Sequence, residues 1–264
     1  MELIKQLREI TGAGMVDCKK ALDEANNDLQ QAVGLLRKKG IAKAAKRSGR
    51  ETNEGVVKVA INADKNEAYI LSLSSETDFV ARNDKFQSFA DSVIVLAMEK
   101  KVDSMESLLA LKLINGTVKE DLDILSGTIG EKLDISAYGK VTGATVSAYS
   151  HLGGKIGVVV ALDQPDKEDI ASDIAMQIAA TDPRYLEPEE IKAEELEREK
   201  EIYREQLIKE GKPELMIEKI LLGKLAKYYS EVCLVEQEFI KDDKKKVKDI
   251  LADVKVISYL RFSL

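Results

Sequence analysis

Apolar residues at the start of the chain recur at helical spacing: Leu3, Ile4, Leu7 and Ile10 make one stripe. "TGAG" (Thr11–Gly14) breaks it, and a second short helix follows with Val16, Cys18, Ala21, Leu22 and Ala25. After "NND" (Asn26–Asp28), Leu29, Ala32, Val33, Leu35 and Leu36 define a third helix, and Gly40 is the expected stop. The pattern predicts a compact three-helix bundle, although under ~50 residues make a marginal core. "AKAAKRSGRETNEG" reads as a linker, basic at first and polar later.

From Gly55 the period becomes that of strands. "GVVKVAIN" and "AYILSLS", separated by "ADKNE", suit an antiparallel hairpin. The helix "KFQSFADSVIVLAMEKK" follows, with Phe86, Phe89, Val93 and Ala97 on its inner stripe. Two further helical segments come next, the second opened by Thr117 and Glu120 at capping-box spacing. "YGKVTGATVSAYSH" and "GKIGVVVAL" read as another strand pair joined around "HLGG", followed by a helix carrying Ile170, Ile174 and Ile178. Strands paired by hairpins, with helices between the pairs, point to an α+β fold, not a parallel βαβ fold. "EPEEIKAEELEREKEIYREQLIKE" is charged almost all round, with a sparse seam of Ile191, Leu196, Tyr203 and Leu207. Gly211, suited to the C′ position of this helix, and Pro213, suited to the first turn of the next, divide it from "PELMIEKILLGKLAKYY", which gives a helical hairpin projecting from the body. "KKVKDILADV" reads as a helix and "VKVISYLRFSL" as a final strand. The divisions are 1–52 for the three-helix unit, 53–138 and 139–264 for two α+β parts, and 187–229 for the hairpin inserted in the second.

Composition narrows the function classes. The 264 residues are 44% hydrophobic and 33% charged, enough for a buried core and too polar for a membrane protein. No apolar run approaches the ~20 residues of a spanning helix. Charges at Glu2, Lys5, Arg8 and Glu9 are inconsistent with a signal peptide's apolar centre. A net charge of −7 argues against general nucleic-acid binding, which needs clustered cations. The two cysteines, Cys18 and Cys233, have no CxxC partner and fit a reducing cytosol.

Candidate chemistry is sparse. With His151 the one histidine, a metal site built on several histidines is excluded. "HLGGKIG" lacks the first glycine and the hydroxyl residue of a phosphate loop. "TGAG" follows a helix and so fails the dinucleotide-binding context. An enzyme would have to rest on Cys18, Cys233 and His151, with no local signature. A ribosome- or RNA-associated scaffold would have to rest on "KAAKR". The inventory fits a protein that acts by binding. "SSETDFVARND" (Ser74–Asp84) is its unusual stretch, with Phe79 and Val80 alone among polar residues. Taken alone, it admits two readings. Either the pair tucks into the core behind a capped turn, or something outside the chain takes it up.

Four long motifs resemble bacterial elongation factor Ts, in the family's order and over essentially the whole chain. They are "LREITGAGMVDCKKALDEANNDLQQAVGLLRKKG", "ETDFVARNDKFQSFA", "AYSHLGGKIGVVV" and "GKPELMIEKILLGKLAKYYSEVCLVEQEFIKD". The resemblance implies an N-terminal ubiquitin-associated-like three-helix domain, a two-part α+β core with antiparallel sheets, and an inserted antiparallel coiled coil. It implies a cytoplasmic exchange factor that is not an enzyme. Such a factor binds elongation factor Tu, a GTPase, and releases its GDP so that GTP can enter. No cofactor, metal, direct nucleotide binding, nucleic acid or membrane is expected. Members form either one-to-one or dimeric complexes. Carried over by motif, Thr77, Asp78, Phe79 and Val80 would enter the GTPase domain and dislodge its Mg²⁺. His151, Gly153 and Gly154 would make a second contact, and Arg8, Met15 and Val16 a third. The chain departs from the commoner pattern at Ser75, Leu222, Lys224 and Glu238, and it ends at "RFSL" where longer members continue.

Overall fold

The computed structural model describes residues 1–264. Helices α1 (Glu2–Thr11), α2 (Met15–Glu24) and α3 (Leu29–Ala45) come first. They share a core of Leu7, Cys18, Ala21, Leu22, Ala25 and Ala32. Leu3, Ile10 and Val16, from the stripes read in the sequence, are exposed instead. Three short helices enclose too little volume to bury both flanks of each stripe. Gly40 does not end the third helix as its sequence predicts. It lies where α3 crosses α7 (Val118–Ile129), and a Cβ on Gly127 of α7 would fall 2.6 Å from the Gly40 Cα. Glycine therefore serves the close approach of two backbones there, not a left-handed stop. The small N-terminal core leans on α7, with an Arg37–Glu120 ion pair at 2.5 Å beside the crossing.

The body is two antiparallel sheets stacked face to face. One has the order β1 (Glu54–Ile61), β2 (Glu67–Ser75), β3 (Leu133–Thr142). The other has the order β4 (Thr145–His151), β5 (Ile156–Leu162), β8 (Val256–Ser263). Alternation along each strand assigns side chains to layers. Val57, Ile70, Val141, Val159 and Ala161 fill the space between the sheets. Val56, Tyr69, Leu71 and Leu73 face the other way, against α5 (Asp84–Glu99), α6 (Met105–Ala110) and α7. Val158, Val160 and Leu162 face α8 (Glu168–Thr181) and α11 (Val247–Leu251). The result is an α+β fold in four layers: helices, sheet, sheet, helices. Central strand β2 is buried along almost its whole length, which explains its run of apolar and small residues.

The sequence reads Tyr138–His151 as one strand. The structure divides it into the end of β3 and the whole of β4, in different sheets. Gly143 donates its N–H to the Asn66 carbonyl beside β2, and Ala144 donates to the Leu162 carbonyl at the end of β5. A Cβ on Gly143 would fall 2.7 Å from the Leu162 carbonyl oxygen, so the crossover needs glycine. The expected capping box is present: Glu120 N–H donates to Thr117 Oγ1 at 3.2 Å, and Thr117 N–H to the Glu120 carboxylate at 2.8 Å.

Helices α9 (Ala193–Lys209) and α10 (Glu214–Val232) form the antiparallel hairpin, sealed by Leu207, Ile217, Leu221, Leu225 and Tyr228. Pro213 is the residue before α10, not part of its first turn. At the hairpin's root the Glu195 carboxylate accepts from Tyr185 at 2.6 Å and Tyr228 at 2.7 Å, and pairs with Arg184 at 3.2 Å. Of the departures from the family pattern, Leu222 is exposed on the hairpin and Lys224 stands 5.4 Å over the Tyr203 ring. Glu238 opens the short strand β6 (Glu238–Phe239), which pairs with β7 (Asp242–Lys246). No helix is long and apolar enough to cross a membrane.

Candidate functional site

Strand β2 ends at Ser75, and the chain turns at once into α4 (Asp78–Ala81), a single helical turn. Thr77 caps it, its Oγ1 accepting from the Val80 N–H at 3.4 Å. Asn83 caps the next helix by accepting from the Lys85 N–H at 3.0 Å. Two caps within seven residues leave the connection short and stiff. The turn parts its two bulky residues. Val80 packs on the core between the first sheet and its helices, and Ala81 is buried beside it. Phe79, next in sequence, points away and is 82% exposed. Asp78 forms an ion pair with Arg82 at 3.1 Å on the outer side of the turn. An aromatic ring left this open forgoes about 1.5–3 kcal/mol that burial would return. The fold does not recover that energy internally.

The connection between β4 and β5 holds His151 and Leu152 exposed, with Gly153 and Gly154 completing the turn. Leu152, Gly153 and Gly154 all have positive φ, +51, +66 and +92. Gly154 is buried, and its carbonyl accepts from the Val57 N–H of β1 at 2.7 Å. A Cβ there would fall 2.7 Å from Val56 Cγ2. The turn of the second sheet is thus pinned to the first strand of the other. That same end of β1 is paired with the end of β2, where Glu54 faces Ser75 and Gly55 faces Ser74. Lys155 and Glu54 add an ion pair across the junction. The structure therefore brings "TDFV" and "HLGG" to one end of the sheet stack, although about 70 residues separate them in sequence. His151 Nδ1 and the Tyr149 hydroxyl lie 2.9 Å apart, with the two rings stacked. Leu152, exposed at the tip, was missed in the sequence; its signal was an apolar residue set between His151 and two glycines.

Arg8, Met15 and Val16 are exposed on the three-helix unit around the turn between α1 and α2. Gly12 of that turn lies against Lys85 at the start of α5, a few residues past Phe79. The other candidate chemistry disperses. Cys18 lies in the core of the three-helix unit, its thiol donating to the Ala13 carbonyl at 3.5 Å, and burial raises its pKa. Cys233 is buried at the hairpin root, where burial and then Glu236 push it up to about 11. Both are therefore protonated thiols near neutral pH, poor nucleophiles with separate surroundings from His151. The basic stretch read as linker begins inside the last turn of α3, and three of its cations are tied down within the protein. Lys43 pairs with Asp17 at 3.1 Å, Arg47 donates to the Ser126 carbonyl at 3.2 Å, and Arg50 pairs with Glu76 at 3.1 Å.

Fold and surface together describe an α+β protein with an N-terminal helical unit and with exposed Phe79 and Leu152 at one end of a sheet stack. Comparison with known proteins narrows this. The family model described as Elongation factor TS matches residues 76–264, and that of a UBA-like domain matches residues 1–42. Elongation factor Ts of Clostridium botulinum (strain Alaska E43 / Type E3) is 43% identical over 274 residues, covering 98% of this chain and 90% of that protein. Elongation factor Ts of Chlorobium phaeobacteroides (strain BS1) is 44% identical over 287 residues, covering 99% and 96%. Elongation factor Ts of Aquifex aeolicus (strain VF5) is 42% identical over 281 residues, covering 100% and 97%. The chain belongs to the elongation factor Ts family, whose members are translation elongation factors.

Proposed function

We propose that this protein is the guanine-nucleotide exchange factor of elongation factor Tu: it binds the GDP-bound GTPase and promotes GDP release, leaving the site for GTP. The observation that carries the reading is Phe79, 82% exposed on a capped single-turn helix whose neighbours Val80 and Ala81 are packed. Such a side chain suits insertion between elements of a partner. Close-packed interiors transmit displacement, so a wedge entering one edge of the GTPase domain can disturb its Mg²⁺ and phosphate contacts at a distance. Thr77 and Asp78 would hold and flank the wedge, and Val80 would anchor it from within. His151 and Gly153 would engage the partner from the neighbouring turn, which buried Gly154 pins to β1, with Arg8, Met15 and Val16 making a third contact on the GTPase domain. A cytoplasmic setting follows from this reading.

The process needs no proton transfer or covalent step in this chain. Binding energy for a nucleotide-poor form of the partner is sufficient, and linkage makes the effect reciprocal: GDP weakens the complex by the factor with which the complex weakens GDP. Each ~1.4 kcal/mol of coupling is about tenfold in affinity. The test is to mix the purified chain with elongation factor Tu on a sizing column, with and without excess GDP. Co-elution that GDP reverses is expected, together with accelerated release of a fluorescent GDP. Absence of a complex in nucleotide-free buffer would refute the proposal. Salt-sensitive binding to RNA instead would favour the scaffold reading.

A further inference from the structure

Two crossed carboxylates tie the Phe79 turn to the connection between α7 and β3. Glu131, in that connection, accepts from the Thr77 backbone N–H at 3.0 Å and from the Thr77 hydroxyl at 2.7 Å. Glu76, just before Thr77, accepts from the backbone N–H of Lys132, just after Glu131. Each segment thus reaches across with a carboxylate to the other's backbone. The Lys132 N–H and then Arg50 hold the Glu76 carboxyl below its ordinary range. Arg50 Nη1 lies 3.1 Å from each Glu76 oxygen. The connection is anchored in turn: Ser126 Oγ donates to the Glu131 carbonyl at 2.6 Å, and Arg47 donates to the Ser126 carbonyl.

We propose that Glu131 is the positioning residue of Phe79. A four-residue helix makes too few internal hydrogen bonds to hold itself. Its cap is Thr77, and a hydroxyl has one hydrogen and two lone pairs. Giving that hydrogen to Glu131 leaves a lone pair free to accept from the Val80 N–H, so the carboxylate sets the orientation in which Thr77 caps. The charged acceptor makes both bonds stronger than neutral ones. Through Arg47 and Arg50 the same fastener reaches the segment after α3, so the three-helix unit and the Phe79 turn share one anchor.

This inference rests on the exchange reading for its consequence but not for its geometry, and the two are separable in experiment. The chain has no tryptophan, so Phe79→Trp installs a single indole whose fluorescence anisotropy is measured on the free protein. Glu131→Ala in that background should increase its fast local depolarisation. In the Phe79 background, Glu131→Ala should raise the concentration of protein giving half-maximal GDP release by roughly tenfold. The maximal release rate should be unchanged, because fewer molecules hold the competent turn but those that do act normally. Thr77→Val combined with Glu131→Ala should add little to Glu131→Ala alone for half-saturation. Should Glu131→Ala fold poorly, Glu131→Gln, which keeps an acceptor but loses the charge, should show the same changes at smaller size. Unchanged anisotropy in a folded Glu131 variant would overturn the proposal, as would an unchanged half-saturating concentration. Failure of the unmodified chain to release GDP would overturn the exchange reading alone and leave the anisotropy test standing.

Discussion

The two turns at one end of the sheet stack reach outward by opposite means. The Thr77–Ala81 turn is held by side chains: a threonine cap, the Glu131 carboxylate, and Val80 set in the core. It can therefore present an ordinary L-residue, Phe79, in helical geometry. The His151–Gly154 turn is held by its backbone, through positive φ at three successive residues and the Gly154 carbonyl bonded to Val57. Its glycines are the means of attachment, while His151 and Leu152 are what it presents. A side-chain anchor separates the residue that holds from the residue that touches. A backbone anchor instead places the holding on positive-φ positions where almost any substitution is felt.

Substitutions can break this contrast, and their expected effects on stability can be ranked. Gly154→Ala forces an L-residue to φ +92 and sets its Cβ against Val56, so thermal or urea unfolding should reveal a loss of about 2–4 kcal/mol. Val80→Ala removes two methyl groups from a partly buried anchor and should cost about 1–2 kcal/mol in the same measurement. Gly153→Ala meets open space but still adopts φ +66, so about 1 kcal/mol is expected. Phe79→Ala should change stability by no more than about 0.5 kcal/mol, since its ring is out of the core. Equal losses for Val80→Ala and Phe79→Ala would show that the turn does not divide its labour.

Much of the fold was legible because period and punctuation agree. The switch from 3.6-residue spacing to alternation near Gly55, the Thr117–Glu120 box and the Gly211–Pro213 break each have a local cause. Where the reading went astray, a tertiary contact decided. Gly40 looks like a helix stop in sequence, but its smallness serves the crossing with Gly127 on another helix. Tyr138–His151 looks like one strand because nothing local records that Gly143 and Ala144 bond to opposite sheets. The candidate site divides in the same way. Phe79 stood out as an apolar residue in a polar run. Glu131 and Glu76 did not, since a carboxylate in a chain with 47 acidic residues carries no signal until its partners are in place.

The central claim is that Phe79 acts on the partner and not on this protein's own fold. Its most direct test is the release of fluorescent GDP from elongation factor Tu at increasing concentrations of the native chain and of Phe79→Ala. The account predicts that maximal release falls roughly tenfold to a hundredfold, the equivalent of losing about 1.5–3 kcal/mol of burial in the partner, while the melting curve stays in place. Full release by Phe79→Ala would contradict it, as would an unfolded variant.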